Sequence, residues 1–260
     1  MSGRVSLVGA GPGDPRLLTL RAVALLRQAD VVIYDRLAPT EALDFAPETA
    51  ERIYVGKRPG DATLDQAAIN ALIVDRALAG NVVVRLKGGD PFIFGRGGEE
   101  ALACVAAGIP VEVVPGVSSV AAAPAAAGIP LTHRGLSSSV AIVSASHAPG
   151  ADADLGRVAV AVDTLVILMA AARLEATCQV LIDAGRASAE PAVLIQEATT
   201  PGQRILIATL GSLAADAAAA GIATPATLVV GAVASLAEEL SDALRQGVNT
   251  GAEAPPVSPG

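Results

Sequence analysis

Short apolar runs recur along the first half of the chain, each followed by a break that carries glycine or aspartate. Val5-Ser6-Leu7-Val8, Val31-Val32-Ile33-Tyr34, Ile53-Tyr54-Val55, Val82 to Leu86 and Val111-Glu112-Val113-Val114 read as buried strands, because β-branched runs of this length suit them. Helical spacing fills the intervals. One helix is predicted from Asp14 as N-cap and Pro15 as first helical residue, through Leu17, Leu18, Leu20, Ala24 and Leu25. A second spans Ala67 to Leu78, with Thr63 and Gln66 as a capping box, and a third opens at about Glu99. Strands alternating with helices predict a mostly parallel sheet covered on both faces. After Pro130-Leu131-Thr132-His133-Arg134 the pattern restarts, with strands at Val140–Val143 and Leu165–Leu168 and a helix through Leu174, Val180 and Leu181. Ala192–Ile195 and Arg204–Ile207 flank Pro201-Gly202 as an antiparallel hairpin. A helix near Leu213, a strand at Leu228–Val230 and a helix from Leu236 to Leu244 follow. The expected organisation is an α/β domain over 1–134, a second α/β domain over 135–246, and an aperiodic, disordered tail over 247–260.

Composition narrows the function. Hydrophobic residues make up 52% of the 260 residues but aromatics only 2%, so Ala, Val, Leu and Ile must build the cores. A net charge of −8 argues against general binding to nucleic acid or anionic membranes, so an anionic ligand would have to meet a local cluster of Arg and Lys. The most apolar region, Ala101 to Leu131, is interrupted by Glu112 and by Pro110, Pro115, Pro124 and Pro130, which rules it out as a membrane span. The start passes directly into a strand without signal-peptide architecture. Cys104 and Cys178, far apart in Ala/Leu-rich surroundings, read as buried reduced thiols, and a cytoplasmic location is expected. His133 and His147 have no ligand companions at metal spacing, so no metal is expected.

The richest stretch runs from Arg85 to Glu100. Gly88-Gly89 lets backbone approach a ligand closely, and Pro91 biases Asp90 to an extended conformation at the strand end. Phe92, Ile93, Phe94 and Arg96 add apolar surface and charge, a mixture suited to a small ligand that carries both. The plainer reading is a glycine-rich connection whose Arg96 and Glu99 open a helix. Upstream, Gly9-Ala10-Gly11-Pro12-Gly13-Asp14 is superficially like a dinucleotide fingerprint, with Asp35 near the position of a ribose-binding acid. Asp14 stands where the third glycine belongs and would repel a pyrophosphate, and Pro12 lacks the amide a phosphate would use.

These blocks, together with Val32-Ile33-Tyr34-Asp35-Arg36-Leu37, Val55-Gly56-Lys57-Arg58, Pro115-Gly116-Val117-Ser118-Ser119 and Gly128-Ile129-Pro130-Leu131-Thr132-His133-Arg134-Gly135, resemble the tetrapyrrole methylase family in order and spacing up to about Leu244. The resemblance is nearest to members that act on uroporphyrinogen III. It implies two α/β domains with the active site in the cleft between them, S-adenosyl-L-methionine as cofactor, and a homodimer. The implied reaction is methylation of uroporphyrinogen III at carbons 2 and 7, giving precorrin-2 and S-adenosyl-L-homocysteine. The dehydrogenase and ferrochelatase half found in some members is not in this sequence, so a stand-alone methylase is expected.

Carried over residue by residue, the implied cofactor site comprises Pro12, Gly88, Gly89, Asp90, Ile93, Ser118, Ser119, Met169 and Ala198. Asp35 and Lys57 are the implied proton-handling pair. Arg96 is implied beside them, with Arg58, Glu99 and Arg134 facing the substrate. The residue types suit the chemistry: a pyrrole carbon attacks the methyl in line, so positioning matters most, and a carboxylate can take the proton that is then shed. Eight substrate carboxylates explain basic residues on an acidic protein. Other roles stay open. Asp35 could cap or pair with Arg36, Lys57 could be a solvated loop lysine, Arg96 could pair with Glu99 one turn on, and Met169 alone reads as core. The chain departs from the family at Ala170-Ala171-Ala172, where glycine is usual and a methyl would narrow the pocket, and at Ser118-Ser119 and Ser144-Ala145-Ser146-His147. Rival readings are a later corrin-ring methylase, diphthine synthase, an NAD-dependent oxidoreductase, or a ligand-binding protein without turnover.

Overall fold

The computed structural model describes residues 3–56, 64–145 and 151–240. It divides into two compact units, one ending at Ser118 and the other beginning at Ser119. In the first unit, β1 (Arg4–Gly9), β2 (Val31–Tyr34), β3 (Glu51–Tyr54), β4 (Val82–Lys87) and β5 (Val111–Val114) form a sheet of order β3-β2-β4-β1-β5. Every neighbouring pair is parallel. Side chains alternate between two cores, as the period of a strand requires. Val8, Val32, Val84 and Leu86 pack on one face with residues of α1 (Leu20–Leu26). Leu7, Ile33 and Val83 pack on the other with Ile73 of α2 (Gln66–Leu78) and Cys104 of α3 (Gly97–Ala106). The sheet expected from the alternating pattern is therefore covered on both faces.

Two helix starts differ from expectation. Asp14 accepts from the Arg16 amide at 2.9 Å, but it opens only a 3₁₀ turn, Pro15–Leu17. Leu18 and Thr19 are extended, and α1 starts afresh at Leu20 with Thr19 accepting from the Ala22 amide at 3.1 Å. The side chain of Asp65, next to the first helical residue of α2, accepts from the Ala68 amide at 2.8 Å and is the cap of that helix. Thr63, expected in that role, lies outside the described residues.

The second unit holds β6 (Val140–Ser144), β7 (Thr164–Leu168), β8 (Pro191–Gln196), β9 (Arg204–Thr209) and β10 (Ala226–Val230) in the order β6-β7-β10-β8-β9. The β6–β7 pair is parallel and the other pairs are antiparallel, so this sheet is mixed. The expected hairpin is present, running in register from Pro191 opposite Thr209 to Gln196 opposite Arg204. Helices α5 (Ala151–Ala159), α6 (Leu174–Asp183) and α7 (Leu213–Ala220) contribute Leu155, Leu181 and Leu213 to one core. Helix α4 (Ser119–Ala126) lies on the other face, where Ala123, Ala127 and Ile129 pack with Val193, Ile195 and Val229. That packing puts residues 119–134 in the second unit, so the boundary falls at Ser118 rather than after Arg134. The tail expected over 247–260 and the end of the helix expected to reach Leu244 lie outside the described residues.

Candidate active site

A wholly parallel sheet delivers all its strand ends to one edge, which is where the first unit gathers its glycines. The Ala10 amide donates to the Lys87 carbonyl at 2.7 Å, while Gly11 and Gly89 exchange backbone hydrogen bonds of 3.2 and 2.6 Å. Gly89 holds φ of 65°, a conformation glycine adopts without penalty. A Cβ on Gly9 would stand 2.6 Å from the Gly116 Cα and 2.7 Å from the Gly89 carbonyl oxygen. The ends of β1, β4 and β5 thus meet main chain on main chain. Asp90 ties the junction together: Oδ1 accepts from the Phe92 amide at 2.8 Å and Oδ2 from the Gly116 amide at 3.1 Å. A Cβ on Gly88 would fall 2.6 Å from Leu37 Cβ, which brings the loop after β2 alongside.

Pro12, Gly88, Gly89, Asp90, Ile93 and Ser118 are all half-buried around this junction or in its loops. They can be reached from solvent yet are not freely solvated. A carboxylate offers about four acceptor positions, so Asp90 retains capacity beyond its two amides. The set fits a ligand with a charged amino-acid end and an apolar body. It does not fit a dinucleotide, because the glycine loop leads into the three-residue turn Pro15–Leu17 and not into a helix that could face a pyrophosphate. Asp14 is paired with Arg16 at 2.7 Å, and that hydrogen-bonded partner holds its carboxyl below the usual range.

Asp35 closes β2 with its side chain partly exposed. Its Oδ1 accepts from the Leu37 amide at 3.1 Å and its Oδ2 from Arg85 Nη2 at 2.9 Å. Arg85 is buried; it also donates from Nε to Glu100 Oε1 at 3.0 Å and from Nη1 to the Leu86 carbonyl at 2.9 Å. Lys87, likewise buried, donates to the same Glu100 Oε1 at 2.9 Å. The pairing that sequence left open for Asp35 is therefore made by Arg85. Arg85, Lys87 and Glu100 stood inside the motif stretch but had no assigned role. A signal was available: Arg85 and Lys87 continue the parity of Val83 on the face of β4 that packs against α2 and α3. Burial, then the charge of Arg85, pushes the Lys87 ammonium below its ordinary value. Beside Asp35, Tyr34 and Tyr54 lie opposite each other at the ends of β2 and β3, with ring centroids 5.5 Å apart at 67°.

Arg96 occupies the left-handed region with φ of 58° and stands at the N-cap of α3 without a side-chain capping bond to the helix backbone. Its guanidinium holds Glu99 through two hydrogen bonds of 2.8 and 2.7 Å, and both side chains are about half exposed. Lys57 and Arg58 lie outside the described residues. In the second unit, Met169 and Ala198 follow the ends of β7 and β8, which run in the same direction on either side of β10. Met169, Glu197 and Thr199 all have positive φ, 60°, 47° and 68°. Met169 is 50% exposed, contrary to a core role, and its sulfur lies 4.0 Å from Ser144 Oγ at the end of β6. Ala170, expected from the resemblance to narrow the pocket, is fully buried in the core with Leu174 and Leu194. Half-buried Ser119 and exposed Arg134 also belong to this unit. Among the described residues, no group of three or more His, Cys, Asp and Glu is placed to hold a metal ion, and no helix is long and apolar enough to cross a membrane.

Residues 4–214 match the Tetrapyrrole (Corrin/Porphyrin) Methylases. The siroheme synthase of Azotobacter vinelandii is 48% identical over 240 residues, covering 92% of this chain and 52% of that protein. The chain thus spans about half the length of the curated relatives it matches. A crystal structure of uroporphyrin-III C-methyl transferase from Thermus thermophilus, complexed with S-adenyl homocysteine, is similar at a TM-score of 0.77 and 44% identity, covering 90% of this chain and 100% of that one. A cobalt precorrin-4 methyltransferase is similar at a TM-score of 0.79 and 28% identity, covering 89% of this chain and 95% of that one. With its motifs, its parallel first sheet and this match over most of its length, the chain belongs to the tetrapyrrole methylase family.

Proposed function

We propose that this chain is a C-methyltransferase that uses S-adenosyl-L-methionine to methylate uroporphyrinogen III at carbons 2 and 7, forming precorrin-2. The observation that carries this reading is its 44% identity over the whole of a uroporphyrin-III C-methyl transferase solved with S-adenyl homocysteine. The cobalt precorrin-4 methyltransferase, at 28% identity, is the more distant alternative. When bound, the cofactor supplies an electrophilic methyl group. The glycine junction and Asp90 hold and orient its polar end, and Ile93, Met169 and Ala198 give apolar contact. Asp35 takes the proton shed by the methylated ring carbon, using oxygen lone pairs left free by Leu37 and Arg85. Lys57, Arg58, Arg96 and Arg134 hold substrate carboxylates, with Glu99 as the resident partner of Arg96. The working unit is a cytoplasmic homodimer.

The test is incubation of the chain with methyl-labelled cofactor and uroporphyrinogen III, followed by chromatography. A product carrying two labels is expected. Absence of label from a dimethylated uroporphyrinogen product would overturn the substrate assignment. Asp35→Asn should bind S-adenosylhomocysteine normally and lose at least about a hundredfold in turnover, the scale of a missing general base.

A further inference from the structure

The charge relay behind Asp35 is more elaborate than one ion pair requires. Glu100 is fully buried, and its Oε1 serves both Arg85 and Lys87 while Oε2 accepts no hydrogen bond from any described residue. Arg85 and Lys87 are only 4% and 5% exposed at their side chains, and Gln66 of α2 reaches the same Oε1 at 3.4 Å. Two cations and two anions therefore form a chain, Lys87–Glu100–Arg85–Asp35, that is buried at one end and opens to solvent only at Asp35. Buried ion pairs contribute weakly to stability, because desolvation offsets their attraction. A fixed low-dielectric array does, however, control the electrostatics of the group at its mouth.

We infer that Lys87 and Glu100 are positioning residues for methyl transfer, acting through Arg85 to hold Asp35 and to set how readily it takes up a proton. This rests on the proposed role of Asp35 as the proton acceptor. Arg85 cannot reorient freely, because Glu100 fixes its Nε and the Leu86 carbonyl fixes Nη1, leaving Nη2 directed at Asp35. Lys87 supplies the second cation, so that the two carboxylates of Glu100 and Asp35 are balanced by Arg85 and Lys87 together. Among the described residues, the other charged or titratable groups near this array are Arg36 in the loop of Asp35, Tyr54 against Gly56 beside that loop, and Arg96, Glu99 and Cys104 around Glu100 and Lys87.

The sign of each perturbation follows from charge. Lys87→Met removes a positive charge, eases protonation of Asp35, and moves the acidic limb of the kcat–pH profile to higher pH. Glu100→Gln removes a negative charge and moves that limb to lower pH. Shifts of about half to one pH unit are the scale expected of a partly buried neighbouring charge. The double variant restores neutrality and should return the limb to within about 0.2 unit of wild type, an interaction that independent sites would not show. Lys87→Arg keeps the charge and should leave the limb in place.

The experiment measures kcat at saturating substrate from acid to neutral pH, with thermal midpoints recorded for every variant. Opposite shifts in the single variants and cancellation in the double variant support the inference. Shifts of the same sign, or lowered midpoints with an unmoved limb, overturn it and leave only a structural role. If Glu100→Gln does not fold, Lys87→Met against Lys87→Arg decides alone. Asp35→Asn separates the two levels of the reading. If it turns over normally, both the base assignment and this inference fail. If it is inactive while Lys87→Met leaves the limb unmoved, only the inference fails.

Discussion

Arg96 holds Glu99 across one turn of α3 with a two-point geometry that a carboxylate of any origin could satisfy. The pair is half exposed and therefore contributes little to stability, so it is easily exchanged for another acceptor. A substrate carboxylate that displaced Glu99 would be gripped in the same bidentate manner, which lysine cannot reproduce. Arg96→Lys is therefore expected to leave S-adenosylhomocysteine affinity unchanged in calorimetry while lowering product formation about ten- to a hundredfold, and Arg96→Leu to lower it further. Turnover within twofold of wild type in the leucine variant would confine Arg96 to its helix-surface pair. At this scale the sequence was readable where partners are close along the chain: the spacing of Arg96 and Glu99 announces their contact. The Asp35–Arg85 bond was not readable, because it joins the ends of β2 and β4 fifty positions apart and depends on which strands are neighbours.

Among the elements, the central strands of the first sheet were legible because β2 and the first half of β4 are continuous apolar runs, the pattern of a strand buried on both faces, whereas β3 begins two residues before the apolar Ile53 with exposed Glu51 and Arg52. Helix α4 was not. Its sequence is apolar all round and contains Pro124, so it carries neither helical periodicity nor an unbroken propensity, and its burial between chain segments decides its form. The insertion of β10 between β7 and β8 was equally hidden, since strand order in a mixed sheet leaves no local mark. The glycines show the limit in another way. Gly88 and Gly89 stood out as a pair, whereas Gly116 acquires its role only once β1, β4 and β5 end together. A Cβ on Gly116 would lie 2.8 Å from the Gly9 Cα and would force those ends apart. Gly116→Ala should accordingly weaken S-adenosylhomocysteine binding by about tenfold or more. At a ligand concentration about a hundred times the wild-type Kd, a tenfold loss should cut the stabilisation the ligand gives from about 2.7 to about 1.4 kcal/mol, and a larger loss should cut it further. A full ligand-induced rise in melting temperature in this variant would show that the junction is not part of the cofactor site.

For the molecule as a whole, the absence of tryptophan and the 2% aromatic content leave aliphatic packing, and buried cysteines such as Cys178, to make the cores. Burial pushes the Cys178 thiol from 9.0 up to about 11. The folded state therefore holds this proton more tightly than the unfolded state. Its contribution is complete below about pH 9 and is lost as pH rises from 9.0 to about 11. The stability difference between wild type and Cys178→Ala, from urea unfolding, should narrow over that interval; a constant difference would mean that the thiol does not titrate differently on unfolding. The same scarcity of aromatic rings has an optical consequence. The chain has no tryptophan and two tyrosines, and both sit against each other at the strand ends next to Asp35. Tyrosine emission and the near-ultraviolet tyrosine circular dichroism of the unlabelled protein thus come from one spot. Without any introduced probe, those signals report on the edge of the first sheet that carries Asp35 and on little else.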